Sequence, residues 1–152
     1  MARLLFTGKE FGTFDLQNGD QSKASLQKAL SVSNIFYMKQ VHGNTVQTIT
    51  NESSNLPEAD ALVTNQKSIA LAVQIADCLP LLLQSEVAVA AVHVGRKGLL
   101  NGVAVKAVAA LKQLGATKIA GVVGPHICGN CYEVDQAMFD EITKQHPASK
   151  SA

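Results

Sequence analysis

Three apolar runs in the middle of the chain constrain its fold more than any other feature. They read SIALAVQIA, LPLLLQ and VAVAAVHV, and they lie between residues 68 and 94. Each run is too short for an independent helix and too continuous for a sheet with one face in water. The pattern therefore predicts three buried strands.

Shorter patterns on either side of these runs predict further strands and helices. Ser22 is the expected N-cap of the first helix, and Gly115 is expected to end the second. Because the strands follow one another without a regular alternation of strand and helix, the pattern favours an α+β fold over a doubly wound α/β fold. The predicted strands read IFYMKQV, NTVQTIT, DALVT and KIAGVVGP, and the predicted helices cover residues 21–30, 99–114 and 135–145.

The composition favours one globular domain that binds a small molecule. With 152 residues, 47% of them hydrophobic, residues 1–152 are expected to share a single core. The 13 basic and 12 acidic residues provide no basic surface for a nucleic acid or an anionic membrane. No signal peptide is visible, and charged residues interrupt every apolar stretch before the roughly 20 residues of a membrane span. We therefore expect a cytoplasmic protein with reduced, metal-binding or catalytic cysteines.

Three side chains lie where a strand pattern gives way to turn residues, and they are candidate metal ligands. They are His42 in QVHGN, Cys78 in ADCLP and His93 in AVHVG. Their separations of 36 and 15 residues are too long for a zinc finger, so the fold would have to assemble the site. Two imidazoles and a thiolate would leave the fourth position of a tetrahedral zinc open, as in catalytic sites. The alternative is two hydrogen-bonded turn histidines and a packed cysteine.

Two carboxylates are candidates for supporting this chemistry. Asp77 precedes Cys78, where it could orient a ligand, relay a proton or cap the turn before Pro80. Asp60 begins a predicted strand after a loop, and it is either a turn residue or a second carboxylate of the pocket.

A pair of cations precedes the second predicted helix. In HVGRKG, Arg96 and Lys97 lie between two glycines that would let the backbone approach a ligand. A helix N-terminus with adjacent cations favours phosphate or carboxylate binding. A solvated basic turn is the alternative.

The remaining cysteines form a C-x-x-C pair in GPHICGNCYEV. Cys128 and Cys131 have the spacing of zinc ligands or a redox pair, and His126 lies just before them. No second ligand pair exists nearby, and no βαβ unit places the pair at a helix N-terminus. We therefore predict that these thiols are pocket or packing residues.

Five segments in order, QVHGN, ADALVT, ADCLPLLL, AVHVGRKGL and GPHICGNCYEV, resemble the laccase-domain or polyphenol-oxidase family. The same family is called purine nucleoside phosphorylase and peptidoglycan editing factor. The resemblance implies packed mixed β-sheets flanked by helices, and a single zinc bound by His42, Cys78 and His93. It also implies phosphorolysis of adenosine, inosine, guanosine and methylthioadenosine, deamination of adenosine, or hydrolysis of a misbuilt cell-wall precursor.

The resemblance also has departures. The family usually reads H-A-G-W-R-G where this chain has HVGRKG, so Lys97 replaces a bidentate arginine with a point charge unless Arg96 substitutes for it. Lys23 takes the cationic place of an early-helix arginine, and Gln40 is a further candidate on the substrate side. Family members continue beyond the last residue of this chain, so we expect the C-terminal part of the family fold to be missing. A homo-oligomer would then cover the exposed sheet edge.

The predicted function is a zinc-dependent purine nucleoside phosphorylase with adenosine deaminase activity. Asp77 or Asp60 would move the proton, and Lys97 or Arg96 would hold phosphate. In the alternative hydrolase, Cys78 would be the nucleophile and His93 its base. Four histidines are too few for a four-copper site, but one copper could occupy the three-ligand site and oxidise phenols as a side activity. The last alternative is an inactive remnant.

Overall fold

The computed structural model describes residues 2–12, 20–53 and 56–151. Single 3-10 turns lie at Lys9–Phe11 and Pro147–Ser151. The described helices are α1 (Asp20–Leu30), α2 (Arg96–Leu100), α3 (Val103–Gln113) and α4 (Gln136–Gln145). The described strands are β1 (Asn34–Phe36), β2 (Val46–Thr48), β3 (Ala61–Thr64), β4 (Ile69–Leu71), β5 (Leu79–Ser85), β6 (Val89–Val94) and β7 (Ile119–Val123).

The larger sheet has five strands in the order β2-β3-β6-β5-β7. β2 and β3 are parallel, and the other neighbouring pairs are antiparallel. A tight turn joins β5 to β6, with the Ser85 N–H donating to the Ala88 carbonyl at 2.8 Å. This mixed sheet confirms the α+β prediction. β5 and β6 also confirm the strands predicted for the second and third apolar runs.

The smaller sheet pairs β1 with β4 in parallel. Only three residues of the first apolar run form a strand there, and they are half-buried, so the prediction of a long buried strand was wrong in extent. After β4, the Gln40 side chain forms hydrogen bonds with the backbone of Gln74. Gln40 Nε2 donates to the Gln74 carbonyl at 2.7 Å, and the Gln74 N–H donates to Gln40 Oε1 at 2.9 Å.

α3 covers one face of the larger sheet. Val103, Ala107 and Leu111 recur every four residues, which places them on one side of the helix, and each is fully buried. They pack in one cluster with Val92 of β6 and Val63 of β3. This apolar stripe anchors the sheet whose strand ends carry the candidate ligands.

Two helix boundaries differ from the sequence prediction. The helix predicted over residues 99–114 is interrupted, because Gly102 has a φ of +72°, a left-handed conformation that glycine adopts without a Cβ clash. α1 begins at Asp20, so Ser22 lies inside the helix and is not its N-cap. Gly115 does follow the end of α3 with a φ of +97°, as predicted.

The far edge of the larger sheet is formed by β7, and its apolar residues are exposed. Val122 and Val123 retain 43% and 49% of their surface. α4 follows after a long loop and begins as predicted, with the Asp135 side chain accepting a hydrogen bond from the Met138 N–H at 2.8 Å. Within the described ranges, no helix is long and apolar enough to cross a membrane.

Candidate metal centre

The fold brings His42, Cys78 and His93 together, as the sequence predicted. Their potential ligand atoms all lie within 4.8 Å of one another. Cys78 Sγ is 3.9 Å from His42 Nε2, and the two imidazole rings meet edge to face with centroids 4.7 Å apart. No other group of three His, Cys, Asp or Glu residues in the described part of the chain is close enough to hold a metal.

The pairing of β5 with β6 positions two of the three ligands. Pro80 lies opposite His93 and Leu79 opposite Val94, so the turn before β5 carries Cys78 next to the end of β6. Burial decreases across the site: His93 is buried, Cys78 is partly buried and His42 is exposed. The centre is therefore open to solvent on the His42 side.

Asp60 contacts two of the candidate ligands, His42 through its backbone and His93 through its ring. Its Oδ1 accepts from the His42 N–H at 2.9 Å, and its Oδ2 accepts from the Gly43 N–H at 2.7 Å and the Val41 N–H at 3.4 Å. His93 Nδ1 lies 2.8 Å from the same Oδ1. This contact assigns the proton of His93 to Nδ1 and leaves Nε2 as its ligand nitrogen.

The Asp60 carboxylate is fully buried. Burial alone would raise its pKa, but the hydrogen bonds from His93 and from the backbone N–H groups of residues 41–43 outweigh burial and hold the pKa below its ordinary value. Asp60 is thus the carboxylate that contacts a candidate ligand, whereas Asp77 is exposed at the surface. Asp60 accepts hydrogen bonds from the turn at residues 41–43 and also contacts His93, so both alternatives given for it describe contacts that it makes, and its catalytic role stays a prediction.

Backbone conformation around the site is unusual at two non-glycine residues. His42 has a φ of +58° and Asp77 a φ of +75°. The left-handed region is unfavourable for most side chains and is enriched at functional sites, where the surroundings impose it. The Asp77 carbonyl accepts a hydrogen bond from the Ile127 N–H at 2.9 Å, which stabilises this turn.

Gly95 provides the space in which the three ligands meet. A Cβ at this position would lie 2.8 Å from His42 Cδ2, 3.4 Å from Cys78 Sγ and 3.6 Å from His93 Cε1. Gly98 similarly allows α2 to approach the Gly43 carbonyl, which would be 3.1 Å from an added Cβ. The two glycines of HVGRKG therefore permit close approach to the chain's own ligand loop.

The environment of Cys78 favours a cation. Burial, followed by the negative charges of Asp77 and Asp60, raises the pKa of the thiol. A bound metal cation would offset these negative charges and stabilise the thiolate form of Cys78.

The donor set fits zinc. Bond lengths of about 2.0 Å to nitrogen and about 2.3 Å to sulfur imply about 3.5 Å between the two atoms on a tetrahedral zinc. The 3.9 Å between Cys78 Sγ and His42 Nε2 is close to that value. Nitrogen and thiolate ligands also suit copper, so the geometry supports a metal site without distinguishing the two metals.

The residues predicted to bind substrate have different surroundings. Arg96 is mostly buried and pairs with Glu141 at 3.3 Å, whereas Lys97, in the first turn of α2, is exposed. Lys23 Nζ lies 5.8 Å from the centre of the Tyr37 ring. Gln40 holds the backbone of residue 74, as described above. Of the three predicted cations, Lys97 is thus the exposed one.

Of the two roles predicted for Cys128 and Cys131, the packing role is wrong, and the pocket role stays a prediction. Both cysteines are exposed, and their sulfur atoms are 3.1 Å apart in the loop between β7 and α4. His126 Nδ1 lies 2.9 Å from the Gly124 carbonyl. Local sequence could not indicate this exposure because it depends on what covers the loop.

Several known proteins are similar to this chain. A Streptomyces griseus protein named a purine nucleoside phosphorylase is 38% identical over 87% of this chain and 56% of its own length. A Corynebacterium glutamicum protein of the same name is 40% identical over 79% of this chain and 52% of its own length. The crystal structure of a Neisseria meningitidis protein superimposes with a TM-score of 0.78 and 29% identity, covering 95% of this chain and 60% of that one.

This chain therefore spans little more than half the length of these curated relatives. The family described as multi-copper polyphenol oxidoreductase laccase matches residues 15–152, which is most of the sequence. Within those residues lie all three candidate ligands and the buried Asp60 carboxylate, which contacts His42 and His93. The chain belongs to the multi-copper polyphenol oxidoreductase laccase family.

Proposed function

We propose that this chain carries the metal centre of a zinc-dependent purine nucleoside phosphorylase that acts on adenosine, inosine and methylthioadenosine and also deaminates adenosine. The observation that carries the proposal is the convergence of His42, Cys78 and His93 around Gly95. Relatives named purine nucleoside phosphorylase support the reaction class. This chain spans little more than half the length of the relatives that carry this name, so the experiments must test whether the chain itself is active.

The roles of the residues follow from their exposure. A zinc ion held by the three ligands would polarise the attacking phosphate or water. Lys97 is exposed at the start of α2, next to the ligand loop, and would bind the phosphate as a point charge. Arg96 is committed to Glu141 and would have to leave that pair to share this role.

The two carboxylates take different parts in the proposal. All the acceptor positions of Asp60 face hydrogen-bond donors of the chain, so Asp60 positions His42 and His93 and does not move a proton. Asp77 is exposed beside Cys78 and would carry a proton from the attacking phosphate or water to the departing base or amine. In phosphorolysis the bond from the base to C1′ breaks, a phosphate oxygen bonds to C1′, and the base leaves with that proton.

The test is to incubate zinc-loaded protein with adenosine, with and without phosphate, and to separate the products. Adenine that forms only with phosphate would establish phosphorolysis, and inosine would establish deamination. Inosine and methylthioadenosine are tested in the same way. Lys97→Met should raise the KM for phosphate and leave the deamination rate unchanged. No product from a folded, zinc-loaded sample would refute the proposed activity.

The buried pair also supports a second candidate, a hydrolase in which Cys78 is the nucleophile. Asp60 holds His93 in the way that the acid of a hydrolase triad holds its histidine. Zinc on Cys78 and a free Cys78 nucleophile exclude each other, so alkylation of Cys78 by iodoacetamide separates the two candidates. Protection by stoichiometric zinc supports the phosphorylase, while rapid alkylation in the active enzyme supports the hydrolase.

Copper is the remaining variant of the same site. A protein reloaded with one copper ion and assayed with a phenol should oxidise it slowly if copper can use the two imidazoles and the thiolate. Equal phenol oxidation by the Cys78→Ser variant would assign that activity to free copper.

A further inference from the structure

Cys128 and Cys131 form a preorganised dithiol outside the metal centre. Their sulfur atoms are 3.1 Å apart, and both side chains are exposed. The turn that joins them is closed by the Cys131 N–H at 3.0 Å and the Tyr132 N–H at 3.1 Å, both of which donate to the Cys128 carbonyl. A disulfide needs a sulfur separation of about 2.05 Å, so the pair is about 1 Å from bonding distance.

The two thiols are also electrostatically different. The hydrogen bond shared with Cys131, together with backbone N–H groups of the turn, lowers the pKa of Cys128. The same shared hydrogen bond raises the pKa of Cys131. A pair of this kind has one sulfur suited to attack and a second suited to resolve the product.

A hydrogen bond joins the dithiol loop to Asp77, the residue before the candidate ligand Cys78. The residue before Cys128, Ile127, donates its N–H to the carbonyl of Asp77 at 2.9 Å. Asp77 has a φ of +75° and is bonded directly to Cys78 in the chain. The turn at residues 128–131 is therefore connected to Cys78 through one hydrogen bond and the peptide bond between Asp77 and Cys78.

We propose that Cys128 and Cys131 are a reversible modification site, oxidised to an intramolecular disulfide by small disulfides such as oxidised glutathione, and that this oxidation weakens metal binding at His42, Cys78 and His93. The Cys128 thiolate attacks one sulfur of the small disulfide and releases the first thiol. Cys131 then attacks Cys128 in the mixed disulfide and releases the second thiol. The protein loses two electrons and two protons, and the small disulfide gains them.

Tryptic peptides separate the three cysteines. Cleavage after Lys118 and Lys144 leaves Cys128 and Cys131 in one peptide, and cleavage after Lys67 and Arg96 leaves Cys78 in another. Zinc-loaded protein is treated with oxidised glutathione, alkylated, digested and analysed by mass spectrometry. We expect the peptide 119–144 to lose about 2 Da and to escape alkylation, with dithiothreitol restoring both thiols.

Single variants test the order of attack. Cys131→Ser should accumulate glutathione on Cys128, and Cys128→Ser should react more slowly because the more acidic thiol is gone. The proposal is overturned if both cysteines remain alkylatable after oxidation, or if the disulfide joins either of them to Cys78.

The coupling is measured separately, by zinc titration of oxidised and reduced protein. We expect zinc binding about tenfold weaker after oxidation, a change of the size seen when groups next to metal ligands are disturbed. The Cys128→Ser, Cys131→Ser double variant should show no response to oxidised glutathione. Equal affinities in the wild-type protein would refute the coupling. Neither measurement uses a nucleoside, so a failure here is distinct from a failure of the proposed phosphorylase activity.

Discussion

Substitution of Asp60 by Asn replaces a buried carboxylate that accepts four hydrogen bonds with an amide that accepts at one oxygen only. If the amide nitrogen faces Val41 and Gly43, two backbone donors lose their acceptor. If it faces the other way, the His42 N–H loses its acceptor, although His93 can change tautomer and accept from the amide. Either orientation leaves a donor opposite a donor in a fully buried place.

The magnitude follows from these contacts. Each hydrogen bond to a charged group contributes about 1.5–3 kcal/mol, and an unsatisfied buried donor costs about 1–3 kcal/mol. With one or two donors unsatisfied, we expect Asp60→Asn to lower the free energy of unfolding by about 3–5 kcal/mol. Because Asp60 orients two candidate ligands, the zinc affinity should also fall by about 10- to 100-fold.

Urea denaturation of the zinc-free protein and zinc titration of the folded protein measure these two effects. Asp140→Asn is the matched control, since Asp140 is exposed and accepts from the Gln136 side chain on its own helix. It should change the free energy of unfolding by less than about 0.5 kcal/mol and leave zinc affinity unchanged. An Asp60→Asn variant that behaves like this control would refute the role given to Asp60.

Two further predictions concern the space in the metal centre and an acid outside it. Gly95→Ala should weaken zinc binding, because the new Cβ would displace His42. Gly129→Ala is the control and should leave zinc binding unchanged, because its Cβ would meet no atom within 4 Å. Equal zinc affinities of the two variants would contradict this prediction. The hydrogen bond from the Thr117 hydroxyl, at 2.6 Å, is the main cause that lowers the pKa of Glu86 to about 2. The stabilisation from ionised Glu86 is therefore present above about pH 4.5 and is lost as the pH falls towards 2. The difference in Tm between wild type and Glu86→Gln should shrink over that interval. A constant difference would exclude this hydrogen bond as the cause.

The centre of the larger sheet was predictable because β5 and β6 are mostly apolar. β5 and β6 lie inside runs that have no helical period, and the stripe through Val103, Ala107 and Leu111 has a clear one. The break at Gly102 was not predictable from that stripe, because the apolar spacing of residues 99–114 continues through it. Only the left-handed backbone at Gly102 separates α2 from α3.

The candidate ligands and Asp60 were predictable as candidates for a local reason, whereas the contacts that Asp60 makes with His42 and His93 were not. His42, Cys78 and His93 each border a glycine or a strand-ending turn, which marks them in the sequence. The role of Asp60 arises from pairing between distant strands: Ala61 lies opposite Val92, and the His93 N–H donates to the Asp60 carbonyl at 2.8 Å. The sequence signal for Asp60 was an acid at the start of a predicted strand, and its burial became visible only in the fold.

The zinc content of the purified, zinc-loaded chain tests the central claim most directly. We predict one zinc per chain in the wild type, loss of that zinc in Cys78→Ser, and full retention in Cys131→Ser, whose cysteine is exposed outside the metal centre. A wild-type chain without zinc, or a Cys78→Ser variant that keeps it, would contradict the proposed site.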